Sequence, residues 1–309
     1  MARKILQGAG GAASNLISLG AVLLAATLSA VPAQAAIWSD NSIGLRYGRD
    51  YHEPDNSENI TKQIVSFTSV SGYKYGSNFF TVDMLSSDNT DPASCDDGAP
   101  SCNAGGAHEV YAVYRTTLSG SSVFGTPLKF GVVRDVGLQA GFDFNAKDDQ
   151  FASRVAKKMI GPKFSFDVPG YFDIATELYM EKNHNWYASE YGCAGASNSD
   201  CGNVQFKNTY TIESDWGIPF TAGIPMKFQG FCDYIGVKGV DGQGVGTRPE
   251  TLLETAVMVD VGSLAGHKDT VYVGVGYQYW HNKFGNDSSR DPSGGSTAKV
   301  PQLELEWHL

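Results

Sequence analysis

The chain has 309 residues, with 33 Asp and Glu against 23 Lys and Arg, so its formal charge is −10. That balance argues against a protein that holds a nucleic-acid polymer, because binding a phosphate backbone requires clustered lysine and arginine. Glycine is abundant, with 36 residues, and charge is spread evenly along the chain, which favours one domain of many strands and turns without a linker.

Residues 1–35 are predicted to be a signal peptide. Arg3 and Lys4 form a positive start, residues 16–28 are largely apolar, and small residues at 33 and 35 mark a cleavage site. A permanent membrane helix is the alternative, but polar residues interrupt the apolar stretch and Pro32 follows it. Losing this segment removes two positive charges and no carboxylate, which leaves −12 for residues 36–309. No later segment approaches 18 consecutive apolar residues, so the choice lies between a soluble periplasmic protein and an outer-membrane barrel.

Twelve strands are predicted in chain order. They are residues 42–50, 61–70, 73–85, 109–118, 130–145, 155–168, 171–182, 204–216, 226–237, 251–261, 270–284 and 299–309. The second strand has a weak pattern, and we retain it because an even number places both termini on one side, as single-chain outer-membrane barrels require. With that number, the longest and most polar loops all fall on the opposite side, which we take to be the outer one.

The clearest strand signal is the hairpin of residues 158–181, which turns at Asp167-Val168-Pro169-Gly170. Each arm alternates apolar and polar residues over about ten positions, which is longer than a typical soluble strand. Residues 136–145 and 302–309 alternate in the same way. Long arms with carboxylates on the hidden face are typical of a transmembrane barrel, in which lipid meets the apolar face and a wet lumen meets the polar one. The fold class is therefore an all-β, 12-stranded antiparallel barrel in the bacterial outer membrane, expected to be a monomer.

Two cysteine pairs bracket short polar loops, namely Cys95 with Cys102 and Cys193 with Cys201. In an exported chain these pairs predict two local disulfides. Zinc is the alternative, but no histidine lies at ligand spacing beside either pair. Cys232 is left over within a strand pattern, where a small apolar role is expected.

Residues 71–88, which contain Asn78-Phe79-Phe80 and Asp83, resemble the Tsx family of nucleoside-specific outer-membrane channels, in its proteobacterial outer-envelope branch. Residues 109–115, 141–145 and 166–170 strengthen the likeness, which extends over nearly the whole mature chain. The resemblance implies a narrow, monomeric, twelve-stranded barrel that passes nucleosides by diffusion through weak stacking sites. The final strand, rich in apolar and aromatic residues, resembles the signal read by the barrel-assembly machinery, although it ends in Leu309 where Phe is usual.

Alternation places a mixture of aromatic and ionisable side chains in the lumen, where flat rings can stack a base while polar groups bind a sugar. The predicted substrate contacts are Phe79, Asp83, Tyr111, Arg115, Tyr179 and Trp280. The alternative is that these polar groups simply neutralise one another in a narrow barrel.

No cofactor or metal is predicted, because the glycine run at 242–246 has the wrong spacing for a phosphate loop and the acidic residues 88–97 suit a solvated loop better than Ca²⁺. We expect no enzyme activity, since the sequence shows no recognisable arrangement of Ser, His and an acidic residue. Two functions of other classes stay open: a barrel enzyme that cleaves proteins or modifies lipids, and an adhesin or phage receptor that acts through the long outer loops.

Overall fold

The computed structural model describes residues 36–91, 106–149, 153–185 and 202–309, and within them the chain is almost entirely β-structure. The strands are β1 (Trp38–Tyr51), β2 (Ile60–Tyr73), β3 (Gly76–Ser87), β4 (His108–Ser119), β5 (Val133–Lys147), β6 (Arg154–Phe166), β7 (Tyr171–His184), β8 (Asn203–Gln205), β9 (Thr209–Thr221), β10 (Pro225–Ile235), β11 (Glu250–Asp260), β12 (Val271–His281) and β13 (Thr297–His308). A short helix, α1 (Gly120–Phe124), follows β4. None of the helices in these ranges is long and apolar enough to cross a membrane.

Twelve of these strands close into an antiparallel barrel. Each pairs with the next along the chain, β7 pairs with β9, and β1 pairs with β13 to complete the ring. Closure leaves no open sheet edge, so all the long strands satisfy their backbone hydrogen bonds within the barrel, as a membrane environment demands. The predicted all-β, twelve-stranded antiparallel barrel is confirmed.

The barrel is apolar outside and polar inside. Ionisable residues such as Glu177, Glu181 and Asp143 are buried in its interior. Large apolar side chains stand exposed on the outer wall, among them Leu45, Val65, Met84, Val110, Leu138, Phe144, Ile160, Leu178, Val275 and Leu303. Exposure of so large an apolar surface to water is unfavourable for a monomer, whereas contact with the hydrocarbon of a bilayer is favourable. The protein is therefore an outer-membrane barrel, with lipid around its wall.

The loops divide as the strand parity predicts. The last residues of β1, β3, β5, β7, β10 and β12 lie at one rim, opposite the rim that holds the start of β1 and the end of β13, and we take it to be the outer rim. At the other rim, two residues join β2 to β3, four join β6 to β7 and three join β9 to β10, while residues 120–132 and 261–270 form longer connections. The turn from β6 to β7 needs a glycine, because Gly170 has φ +79 and a Cβ there would lie 2.0 Å from the carbonyl oxygen of Gly217.

The structure differs from the predicted strands mainly at two places. The predicted strand at 204–216 is interrupted at residues 206–208, where Phe206 is buried with Lys238 Nζ 4.7 Å from the centre of its ring. Residues before it form the short β8, which pairs only with the outer end of β7, and β9 begins at Thr209. The predicted strand at 130–145 begins at Val133, because α1 and an extended stretch precede it. The rings of Tyr277 and Trp307 are exposed on the lipid side.

Several predictions fall outside the described residues. They are the signal peptide at 1–35 and both proposed disulfides, Cys95 with Cys102 and Cys193 with Cys201. Cys232 is described, and it is a free, half-buried thiol on β10.

Candidate functional site: the barrel lumen

The lumen is lined by alternate residues of each strand, and strand register identifies them. Across β3, β4 and β5, Phe79 lies opposite Arg115 and Asp83 lies opposite Tyr111, while Tyr111 in turn faces Asn145. The same alternation puts Tyr179 of β7 and Trp280 of β12 on the inner face. All six predicted substrate contacts therefore belong to the lumen wall. Five of them belong to three separate groups of side chains, and Phe79 lies opposite Arg115 of the second group.

The first group is centred on Arg46 of β1. Its guanidinium is hydrogen-bonded to Asp83 of β3 on one side and to Glu254 of β11 on the other. Asp83 also accepts a hydrogen bond from Ser66 Oγ at 2.7 Å. Because β12 and β13 lie between β1 and β11, Arg46 forms a chord across part of the lumen. Asp83, predicted as a substrate contact, is thus held in an ion pair.

The second group, the central network, joins strands that are not neighbours in the ring. Arg115 of β4 reaches Glu213 of β9 with Nε to Oε2 at 2.9 Å, and it also donates to Asp143 Oδ1 at 2.6 Å. Tyr111 Oη donates to Asp143 Oδ2 at 3.1 Å and accepts from Lys157 Nζ at 3.0 Å. Three strands separate β4 from β9 in the ring, so this network also spans the lumen.

A missing side chain makes room for the arginine. Gly141 lies opposite Arg115, and a Cβ there would be 2.5 Å from Arg115 Cδ. Charge-assisted hydrogen bonds such as these contribute about 1.5–3 kcal/mol each, but removing both charges from water offsets much of the gain. The central network therefore fixes the shape of the lumen more than it adds to stability.

The third group, the outer lumen network, lies near the outer rim. Lys238, from the loop after β10, donates to Glu181 Oε2 at 2.7 Å and lies 3.6 Å from Glu250. Tyr179 Oη donates to Glu181 at 2.6 Å, and Trp280 Nε1 donates to Glu250 at 2.8 Å. Two predicted contacts, Tyr179 and Trp280, are thus joined through one lysine.

Apolar packing accompanies the outer lumen network. One buried cluster contains Tyr51, Ile60 and Val300, with Trp280 packed against it, and a second contains Met159, Tyr179 and Ile235. All of these residues lie in the outer halves of their strands. Two of the three buried apolar clusters in the described residues therefore lie in the outer part of the barrel.

Several lumen residues were not predicted as candidates, and some carried a usable signal. Glu213 shares the alternating pattern of Asp215, and Asp233 follows Phe231 by two residues on β10, so period two alone assigns both to the inner face. Lys157 and Glu250 lie at strand ends, where alternation is hard to phase. Lys238 belongs to a loop, and nothing in the pattern predicts that it folds back into the barrel.

A separate set of charges, the outer cluster, ties the outer loops together. Glu53 Oε1 lies 2.8 Å from Lys62 Nζ and Oε2 lies 3.0 Å from Lys283 Nζ, while Asp91 accepts from Lys147 at 2.6 Å. Burial would raise the pKa of Glu53, but Lys147, Lys283 and Lys62 outweigh it and hold that pKa well below its usual range. The ionised carboxylate of Glu53 is thus a shared partner of three lysines from three parts of the chain.

Replacing Glu53 by glutamine should loosen the outer loops at neutral pH, because three lysines would lose their shared anion. We expect backbone hydrogen exchange in residues 52–59 and 282–296 to speed up by about tenfold, equivalent to about 1.4 kcal/mol. The variant Glu58→Gln in the same loop is the control, since Glu58 is exposed. Equal exchange in the two variants would contradict the shared-anion role.

The pH dependence of the wild-type loops follows from the sign of the Glu53 shift. A carboxyl whose pKa is lowered on folding contributes stability above its unfolded pKa of about 4.3, and that contribution is lost as pH falls through the lower folded value. Exchange protection of the outer loops should therefore persist at pH 5–8 and fall only at more acidic pH. Loss of protection already between pH 7 and 5 would contradict this.

Comparison with known proteins gives a fold likeness and no family. No family model and no curated protein matches the chain. Among solved structures, the NanC porin covers 86% of this chain and 100% of its own with 8% identity and a TM-score of 0.45. The translocator domain of the autotransporter NalP from Neisseria meningitidis covers 87% of this chain and 88% of its own, with 8% identity and a TM-score of 0.43. The KdgM porin in complex with disordered oligogalacturonate covers 86% of this chain and 98% of its own, with 9% identity and a TM-score of 0.37. TM-scores below 0.5 support no conclusion about the solute of this protein.

Proposed function

We propose that this protein is a passive channel for small solutes in the outer membrane. The observation that supports this most directly is a closed ring of twelve long strands whose inner face carries many polar and ionisable side chains. Barrels of about eight strands are filled by side chains, whereas those of about 16–18 leave an open aqueous channel. Twelve strands with two arginine chords suit a narrow, wet passage that admits solutes singly.

We infer that nucleosides are the preferred solutes. A nucleoside offers a flat base and a hydroxyl-bearing sugar, so a suitable wall alternates rings with hydrogen-bonding groups. Phe79 lies opposite Arg115 and Tyr111 opposite Asp83, which sets aromatic faces beside charged groups on adjoining strands. The resemblance of residues 71–88 to a nucleoside-channel family points to the same block. Transport needs no catalytic step and no energy coupling in this proposal, and monomeric action is expected.

Removing either ring should weaken nucleoside binding. Phe79→Ala and Tyr111→Ala should each weaken nucleoside block of single-channel current in planar bilayers by about 1–3 kcal/mol, the usual contribution of base stacking. Tyr111→Phe keeps the ring and should retain the stacking part. Tyr277→Ala removes an aromatic ring from the lipid face and is the control for general damage.

The solutes that block the wild-type current test the inference itself. Nucleosides at micromolar to millimolar concentration should block it, and sugars or amino acids at the same concentrations should not. Block by sugars or amino acids alone would contradict the nucleoside assignment. If deletion of outer loops abolished binding of a surface ligand while conductance persisted, the receptor function would gain support instead.

A further inference from the structure

One stretch of the lumen wall has many more carboxylates than cations. On the inner faces of three adjoining strands, β7, β9 and β10, the chain places five acidic residues, which we call the acidic wall: Asp173, Glu177, Glu213, Asp215 and Asp233. Strand register sets Asp173 opposite Asp215 and Glu213 opposite Asp233. Glu177 lies opposite Thr211, two positions from Glu213 on the same face. The five side chains therefore form a continuous acidic surface.

The cations that reach the acidic wall do not balance it. Arg115 binds Glu213, but it is shared with Asp143. Lys163 Nζ lies 3.1 Å from Asp173 and 3.3 Å from Asp215, so one lysine serves two carboxylates. Lys157 lies within electrostatic reach of Asp233, but its ammonium group donates to Tyr111. Like charges held this close repel one another, so the wall as built favours an additional positive charge.

Three oxygens of the acidic wall are buried and have no hydrogen-bond partner in the described part of the chain. They are Asp173 Oδ1, Glu177 Oε2 and Asp233 Oδ1. Glu177 is the clearest case, because the residue is only 1% exposed and its other oxygen receives a long hydrogen bond of 3.4 Å from Gln139. A buried carboxylate oxygen without a donor is costly, and a cation in the lumen is the partner that such an oxygen binds best.

The facing wall does not compensate for this excess. Arg46 is engaged by Asp83 and Glu254, and Glu304 lies within electrostatic reach of the same guanidinium. A solute that passes through the lumen therefore meets carboxylates on both sides. Walls of Asp and Glu are the usual means by which pores admit cations and repel anions.

We propose that the acidic wall makes this lumen selective for positively charged solutes, with Glu177 and Asp233 as the main binding groups. The required chemistry is a compact positive charge, which an inorganic ion or a protonated amine can supply. This inference rests on the proposed channel function and adds to it a charge preference that nucleoside binding does not require.

The test is the reversal potential of refolded wild-type protein in planar bilayers under a KCl gradient. We expect potassium to be at least about fivefold more permeant than chloride. In a second arm, ethanolammonium chloride replaces KCl, which separates a protonated amine from an inorganic ion. Cation preference in either arm supports the proposal and identifies the source of charge. Equal permeability, or preference for chloride, in both arms would overturn it.

The double variant Glu177→Gln/Asp233→Asn keeps the side-chain shapes and replaces both carboxyl groups by neutral amides. Its permeability ratio should fall at least about twofold towards one. The control Glu58→Gln/Asp148→Asn makes the same two kinds of exchange in outer loops and should keep the wild-type ratio. A wild-type ratio in the acidic-wall variant would overturn the assignment to these residues. If the variant does not fold, the reversal potential of the wild-type protein still tests the cation selectivity. Absence of any conductance from folded wild-type protein would instead contradict the channel function.

Discussion

Replacing Lys238 by methionine should destabilise the folded barrel by about 3 kcal/mol. Lys238 is 1% exposed and lies between Glu181 and Glu250, both of which are also buried. Methionine keeps most of the apolar stem but removes the charge, which leaves two buried carboxylates without their cation. Breaking a buried ion pair on one side typically costs about 3–5 kcal/mol, and partial water access in a lumen places this case at the lower end. The measurement is guanidinium unfolding of the refolded protein in detergent micelles.

Lys207→Met is the matched control, because Lys207 lies in the neighbouring outer loop and is exposed. Its backbone N–H donates to the carbonyl oxygen of Lys238, so the two loops stay in contact in both variants. The control should change the unfolding free energy by less than about 0.5 kcal/mol. If both variants lose the same stability, Lys238 is not the cation that holds the outer lumen network together.

Replacing Arg115 by glutamine should have the second large effect. The change takes the bound cation away from Asp143 and Glu213, which lie beside Glu177 and Asp233, and we expect a loss of about 3 kcal/mol in unfolding free energy. It also removes a chord from the lumen, so single-channel conductance of the folded fraction should rise. Unfolding in micelles and conductance in planar bilayers measure the two effects independently.

A double variant separates lost pairing from lost packing. Arg115→Gln/Glu213→Gln removes one anion together with the cation, and it should recover at least about 1 kcal/mol relative to Arg115→Gln. Arg134→Gln at the exposed start of β5 is the control for loss of an arginine. A double variant less stable than the single one would contradict the view that unpaired carboxylates cause the destabilisation.

The barrel could be predicted from the sequence because each strand has to satisfy two solvents at once. Lipid on one side and water on the other enforce period two over the full length of a strand, as residues 136–145 and the arms around Gly170 show. The weak second strand is the instructive case. Its pattern alone is ambiguous, because β2 carries the apolar Ile60 and Ile64 inside and the polar Gln63 outside, and the even strand number decides it.

The side-chain networks could not be predicted in the same way. Alternation says that Arg115 faces inward, but not that it reaches across three strands to Glu213. That contact depends on barrel closure and on the stagger between distant strands, which no local pattern encodes. Lys238 is harder still, because its position depends on how an outer loop folds back into the barrel.

The same reasoning explains why the predicted substrate contacts share the lumen but not one pocket. Asp83 is bound to Arg46. The central network contains Tyr111 and Arg115, and the outer lumen network contains Tyr179 and Trp280. Phe79 is half-buried and lies opposite Arg115 on the neighbouring strand. A solute would therefore meet these side chains in succession along its path, which fits several weak sites better than one tight site.

Swelling of liposomes that contain the refolded protein tests the channel function most directly, because it requires neither a charged solute nor an electrode. Uncharged nucleosides and monosaccharides should enter and swell the vesicles, while larger oligosaccharides should enter slowly or not at all, since two arginine chords narrow the lumen. The protein must first be shown to be folded by its circular dichroism. If liposomes that contain this folded protein then swell no faster than protein-free liposomes, the channel function is contradicted.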